Sequence, residues 1–134
     1  MTTKTYLQQI YQSKQKIRRL ENRREQLRGM LYAIGSPQDP DRAQPRLDSK
    51  VAALTDRINI IDTDIVDEMA RLVDLIQTIS AQIEAVPDER YRGLLHGRYV
   101  MCWTWEKVAV EMNMNLRWVL RLHSRALDAF ARGH

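Results

Sequence analysis

Four carboxylate residues lie within one short stretch of the chain: Asp62, Asp64, Asp67 and Glu68. Neighbouring carboxylates can hold a metal ion or share acid–base work, but such sites also draw on histidines or glycine-bearing loops. The sequence places neither nearby, so we interpret the cluster as the solvated acidic face of a helix. The chain also has no phosphate-binding loop and no nucleophile–base motif. We therefore expect no enzyme, with no catalytic residue, no cofactor and no metal ion.

The other residues that could do chemistry are a single cysteine and the histidines. Cys102 has no second cysteine with which to form an internal disulfide, and beside Trp103 we expect it to be a small, half-buried hydrophobic residue. His96 and His123 have no partner at metal-ligand spacing. We expect structural roles for both histidines.

Arginines near the C-terminus suggest a different chemistry, the binding of a polyanion. On a helix, Arg117 and Arg121 lie about one turn apart, and Ser124 joins them on the same face. Trp118 and Arg125 flank this face. The opposite side of the same helix is apolar, with Val119, Leu122 and Ala126.

Short helices are needed to position these residues, and the spacing predicts three of them after Pro87. The apolar periodicity places them at about residues 88–101, 105–112 and 116–132. Thr104 and Asn115 are suitable N-caps for the second and third helix, and Asn113 can take the left-handed conformation that a short turn needs. Two short helices joined by so tight a turn are typical of a helix-turn-helix, with Trp105 in its core.

In a helix-turn-helix, the N-terminal half of the second helix enters the major groove of DNA. We therefore predict that Arg117 and Arg121 read bases, at guanine O6 and N7, with Ser124 and Trp118 beside them. The alternative is that these arginines are simply solvated and that Trp118 packs against the preceding helix. Five further residues are placed to contact phosphates, which position a protein without reading sequence: Thr104, Lys107, Arg125, Arg98 and Arg92.

Two long helices are predicted to precede this segment. From Tyr6 to Ile34 apolar residues recur in an imperfect heptad, with Arg24 on the apolar seam. The stretch of about residues 35–47 contains three prolines and no apolar periodicity, which indicates a loop. The second helix has a regular heptad of Val51, Ile58, Ile65, Leu72, Ile79 and Val86.

Charge differs between these two helices. Residues 1–46 carry ten Lys and Arg against four Asp and Glu, whereas residues 47–86 carry three against eight. A basic helix followed by an acidic one predicts an antiparallel coiled-coil hairpin. Asp48 or Ser49 can cap the second helix.

The acidic helix has a third apolar row, formed by Met69, Ile76 and Ile83. A two-stranded coiled coil needs only two rows, so we predict self-association through residues 47–86. The alternative is that this row packs against the C-terminal segment of the same chain. A further apolar strip on the last helix is expected to dock on the hairpin or on a second subunit: Leu116, Leu120 and Leu127.

Composition agrees with a helix-rich intracellular protein. The 134 residues are 44% apolar and 28% charged, with a net charge of +4, which favours a folded chain. Five glycines and four prolines are too few for a turn-rich β protein.

The sequence shows no transmembrane segment and no apolar core of a signal peptide. We predict an all-α fold with a helical hairpin over residues 1–86 and a helix-turn-helix domain over residues 87–134.

The segment TWEKVAVEMNMNLRWVLRLHSRALDAF (residues 104–130) resembles region four of bacterial sigma factors. Val108 and Ala109 match the apolar–Ala pair of that pattern, residues 125–127 match its Arg-Ala-Leu, and Asn113 stands where Gly is usual. The preceding run GRYVMCWTWEKVA is similar to a motif of small phage transcription regulators of the ArpU and RinA kind. The resemblance covers about 35 of 134 residues. It implies a DNA-binding regulator that contacts RNA polymerase in the cytoplasm of a bacterial host.

Three functions are open at this point. The first is a sequence-specific transcription regulator that binds double-stranded DNA and self-associates through its hairpin. The second is a DNA-packaging subunit similar to a small terminase, whose assembly is expected to be a ring rather than a dimer. The third is a coiled-coil protein-interaction module such as an anti-repressor, which needs neither Arg117 nor Arg121. We expect the first.

Overall fold

The computed structural model describes residues 1–35 and 44–133, and every secondary-structure element in these two stretches is helical. This confirms the all-α prediction. None of these helices has both the length and the apolar composition needed to cross a membrane. The helices are α1 (Thr3–Leu7), α2 (Gln9–Gly35), α3 (Gln44–Glu84), α4 (Glu89–Leu95), α5 (Trp105–Glu111) and α6 (Leu116–Gly133), with a π-helical segment (His96–Val100) directly after α4.

The chain divides into two compact units. The terminal unit combines Met1–Lys14 with Arg71–His134, and the middle unit is Gln15–Ala70. This division differs from the predicted domains, 1–86 and 87–134. The reason is that the start of α2 and the end of α3 contribute to the core that the C-terminal helices build.

The core of the terminal unit is apolar and draws on several helices. Leu7 of α1 and Ile10 of α2 are fully buried, as are Ile79 and Ile83 of α3. Their burial against the last helices holds α6 in a fixed orientation within this unit. The C-terminal helices add seven side chains that are at most 2% exposed: Leu94, Leu95, Val108, Val119, Leu122, Ala126 and Phe130.

The middle unit joins a stretch of α2 to a stretch of α3. Lys16 Nζ lies 3.3 Å from Glu68 Oε2, and Arg24 Nη1 lies 3.0 Å from Asp62 Oδ1. These two pairs run in opposite order along the two helices. Arg24, which interrupts the predicted heptad, therefore has a carboxylate partner. Four isoleucines of the middle unit are buried: Ile17, Ile58, Ile61 and Ile65.

Several predicted helix boundaries are wrong. The predicted loop of about residues 35–47 lies largely outside the described residues, but α3 already begins at Gln44. A proline in the first turn is compatible with this start, because the N–H that it lacks has no helical partner there. Asp48 and Ser49 lie inside α3 and are not its N-caps. The first long helix is also interrupted, at Gln8.

The third apolar row of α3 is not uniform. In the middle unit Met69 is 47% exposed. In the terminal unit Ile76 packs partly buried against the core, and Ile83 is fully buried within it. At Ile83 the row therefore packs against the C-terminal helices of its own chain, which was the alternative to self-association.

Candidate nucleic-acid interface

The turn between α5 and α6 has a geometry that follows from its residue types. Thr104 Oγ1 accepts a hydrogen bond from the backbone N–H of Lys107 at 3.2 Å and caps α5. Asn113 takes the left-handed conformation with a φ of 54°, which Asn tolerates better than most residues. Asn115 Oδ1 accepts a hydrogen bond from the backbone N–H of Trp118 at 2.8 Å, so it caps α6. The predictions made for Thr104, Asn113 and Asn115 are confirmed.

The helix α6 has one buried face and one exposed face. Val119 and Leu122 anchor the buried face in the core. Arg117, Arg121 and Ser124 are all exposed, because their positions along the helix place them on the opposite side. Their side chains have no hydrogen-bond or ion-pair partner among the described residues. Two guanidinium groups about one turn apart are thus free to bind a ligand.

One edge of this exposed face carries an aromatic ring. Trp118 is 37% exposed and is not part of the apolar core. The Arg125 guanidinium carbon lies 5.9 Å from the centroid of the Trp118 ring, a favourable cation–π distance. A flat apolar surface and a cation therefore lie together beside Arg121.

Two of the predicted phosphate contacts are exposed to solvent at the start of α5. Thr104 and Lys107 are exposed. The ammonium nitrogen of Lys107 lies 5.3 Å from the ring centroid of Trp103. This contact leaves the ammonium N–H groups available to an anion, because a ring face does not use them as a carboxylate does.

Two more of the predicted phosphate contacts, Arg98 and Arg92, make hydrogen bonds within the chain. Arg98 Nη1 donates to the carbonyl oxygen of Trp103 at 2.9 Å, and its guanidinium lies 4.5 Å from the Trp105 ring centroid. Arg92 Nη1 donates to two carbonyl oxygens just after α3, at 2.7 and 2.8 Å. Both arginines are only partly exposed. These hydrogen bonds use part of each guanidinium group, so we expect both arginines to contribute less than Lys107 and Arg125 to the phosphate contacts beside α6.

Tyr99, Trp105 and His123 form a cluster that is partly buried and links α6 to the preceding helices. The Tyr99 hydroxyl and His123 Nε2 are 2.6 Å apart, and the His123 and Trp105 ring centroids are 4.5 Å apart in an edge-on arrangement. Burial, together with the charges of Lys4 and Arg98, lowers the pKa of His123 to about 4. The imidazole is therefore neutral at pH 7. Trp105 is partly buried at the edge of the core rather than inside it.

Sequence reasoning missed this cluster. Tyr99 and His123 are separated by 24 residues, and no local motif links them. Burial also raises the pKa of Tyr99 to about 12, so its hydroxyl keeps its proton and can donate to the neutral imidazole. The expected structural role of His123 agrees with these contacts.

The predicted apolar strip of α6 is covered only in part. Leu127 packs partly buried against the core. Leu116 and Leu120 remain 39% and 44% exposed, and Val110 of α5 is 77% exposed. In this chain, Leu116 and Leu120 therefore keep much of their apolar surface in contact with solvent.

The described part of the chain has no group of His, Cys, Asp and Glu side chains that could hold a metal ion. No family model, curated protein or solved structure matches this chain.

Proposed function

We propose that α5, the turn and α6 form a sigma-like helix-turn-helix, and that the chain is a phage-encoded, sequence-specific DNA-binding transcription regulator. The observation that carries this proposal is the exposed face of α6, where Arg117, Arg121 and Ser124 have no intramolecular side-chain partner. The caps Thr104 and Asn115 support it, because they fix the length of the turn between the two helices.

In the proposed complex, α6 lies in the major groove of DNA. Arg117 and Arg121 donate to guanine O6 and N7, and each such bidentate contact contributes about 1–3 kcal/mol of discrimination between bases. Ser124 and Trp118 contact the neighbouring bases. The phosphate contacts come mainly from Thr104, Lys107 and Arg125, with smaller contributions from Arg98 and Arg92.

We further propose that the long helices form an antiparallel coiled-coil hairpin through which copies of the chain associate. The opposite order of the two ion pairs in the middle unit supports the antiparallel arrangement. A contiguous patch of exposed apolar side chains is typical of a surface that is covered in an assembly. In the middle unit, three side chains of α3 are apolar and exposed: Ile60, Val66 and Met69, at 61%, 64% and 47%.

RNA polymerase is the protein partner that the proposed function implies.

Selection of bound fragments from random genomic DNA tests the proposed function. We expect the wild-type chain to enrich one motif and to bind it about a thousandfold or more tightly than unrelated DNA. The double variant Arg117→Ala/Arg121→Ala should lose the motif, because it lacks both base-reading guanidinium groups. It should keep weak, salt-sensitive binding through the phosphate contacts.

A matched control separates base reading from loss of charge. Arg18 and Arg19 are exposed on α2, and Arg18→Ala/Arg19→Ala removes the same two charges. This control should still enrich the wild-type motif. If a folded wild-type chain enriches no motif, the proposal fails and a protein partner for the helical region becomes the better hypothesis.

The mass of the assembly tests the proposed self-association. Light scattering should give a dimer for a regulator that binds a two-fold site. A ring of about eight or more subunits indicates a packaging subunit instead, and a monomer at all concentrations contradicts self-association.

A further inference from the structure

A cavity of about 360 Å³ lies in the terminal unit, and none of its lining residues belongs to α6. Its size is at the lower end of the range for small-ligand pockets. None of the residues that line it is acidic, and two of them are cationic. The lining residues that could contact a ligand are Lys4, Gln8, Tyr11, Arg98, Thr104 and Trp105.

The two cations of this cavity are not neutralised by any of the residues that the structure describes. Neither Lys4 nor Arg98 has an ion-pair partner among the residues of the described stretches. The positive charges of Lys4 and Arg98 also act on His123, because they lower its pKa in addition to the effect of burial. The cavity is thus positively charged, and a neutral His123 adds no further charge to it.

Arg98 is held in place before any ligand arrives. Its Nη1 donates to the Trp103 carbonyl oxygen at 2.9 Å, and its guanidinium lies over the Trp105 ring at 4.5 Å from the centroid. A fixed guanidinium loses little conformational entropy on binding. The N–H groups that this single hydrogen bond does not use are available to an anion.

Neutral donors complete the set. Gln8 and Tyr11 also line the cavity, and their side chains end in an amide and a hydroxyl that can donate hydrogen bonds. Thr104 Oγ1 accepts a hydrogen bond from the Lys107 backbone N–H, so its own proton is available to a ligand. A ligand with several acceptor oxygens and more than one negative charge matches two cations and three neutral donors.

We propose that this cavity binds a phosphate group through Lys4 and Arg98. The phosphate belongs either to the backbone of bound DNA or to a small phosphorylated molecule. The first source rests on the proposed function, whereas the second does not. In either case the N-terminal helix takes part in binding, through a residue that no helix-turn-helix motif includes.

Titration with inorganic phosphate tests the second source. The imidazole of His123 and the indole of Trp105 are followed by NMR at constant ionic strength, with chloride as the reference anion. We expect saturable shifts in the wild-type chain and about tenfold weaker binding in Lys4→Gln, because a charge-assisted hydrogen bond is lost. Lys50 is an exposed lysine of α3 outside the cavity, and Lys50→Gln should bind phosphate like the wild type.

The salt dependence of DNA binding tests the first source. If a DNA phosphate occupies the cavity, Lys4→Gln should reduce the slope of log K against log salt by about one, while Lys50→Gln leaves it unchanged. Saturable binding of free phosphate identifies a small phosphorylated ligand, and a change of slope without phosphate binding identifies DNA. If Lys4→Gln alters neither measurement in a folded chain, the proposal is overturned. If the wild type binds no DNA, the proposed function fails, and phosphate titration alone decides for or against the cavity.

Discussion

The two compact units are stabilised in different ways. The terminal unit buries apolar side chains from several helices in one core. The middle unit buries four isoleucines and Glu68 between two helical stretches. Two ion pairs join these stretches, and Glu68 makes one of them. A core that draws on several directions fixes each helix in position and rotation, whereas a two-helix seam mainly fixes register. The exposed arginines of α6 belong to the unit whose core can hold them in a defined geometry.

Removal of a large core side chain should show this difference most strongly. Leu122 is 1% exposed in the core of the terminal unit, and we expect Leu122→Ala to lower the free energy of unfolding by about 3–4 kcal/mol. Ile65 is 4% exposed in the middle unit. We expect Ile65→Ala to cost only about 2–3 kcal/mol, because two helices can close a cavity more easily than several.

Chemical denaturation of both variants measures these two losses. Leu120→Ala, on the exposed side of α6 at 44% exposure, is the control and should cost well under the Leu122 value. An equal or larger loss for Ile65→Ala would remove the contrast between the units.

Features set by neighbouring residues could be predicted from the sequence. Thr104 and Asn115 cap their helices, and Asn113 is left-handed, because each property depends on the residue type and on atoms two or three positions away. The burial of Val119 and Leu122 also follows from helical spacing. These are the features that place Arg117 and its neighbours on an exposed face.

Features that depend on distant contacts could not be predicted. Nothing local to Leu7 or Ile10 indicates that they enter a core with C-terminal helices. Arg98 has the residue type of a phosphate contact, yet it is fixed by the Trp103 carbonyl oxygen. The division into two compact units is not visible in the sequence for the same reason, because a continuous heptad does not reveal which of its turns meets another part of the chain.

The close packing of Gly97 against the Trp103 ring gives the next largest expected effect on stability. A Cβ added to Gly97 would lie 2.7 Å from Cε3 of Trp103, so Gly97→Ala must displace an indole. We expect it to lower the free energy of unfolding by about 1–2 kcal/mol. Gly93→Ala is the matched control, since a Cβ there meets nothing within 4 Å. It should be neutral or stabilising by up to about 1 kcal/mol. A Gly97→Ala chain as stable as the wild type would show that the terminal unit repacks more freely than its core implies.

Acid should weaken the terminal unit through His123. Burial is the main cause that lowers the pKa of His123 to about 4 from its ordinary value of 6.5. The unfolded chain therefore binds a proton below pH 6.5 that the folded chain takes up only near pH 4, so stability falls as the pH falls through this window. Since the side chain is partly solvent-exposed, we expect a loss of only about 1 kcal/mol.

Denaturation at pH 7 and at pH 4.5 measures this loss. Because carboxylates titrate in the same range, the informative quantity is the difference between the wild type and His123→Asn. The variant should lose less stability on acidification, and a His96→Gln control should behave like the wild type. Equal acid sensitivity of wild type and His123→Asn would assign the loss to other groups.

The smallest effect is expected at an ion pair of the middle unit. Arg24 Nη1 lies 3.0 Å from Asp62 Oδ1, and both side chains retain contact with solvent. Because solvent screens such a pair, Asp62→Asn should lower the free energy of unfolding by about 0.5–1 kcal/mol at low salt, and by less at high salt. Asp64→Asn on the same helix is the control, since the exposed Asp64 side chain has no ion-pair partner within the described stretches, and it should change stability by about 0.5 kcal/mol or less. A loss near that of Ile65→Ala would mean that charge, rather than the isoleucine seam, holds the two helices of the middle unit together.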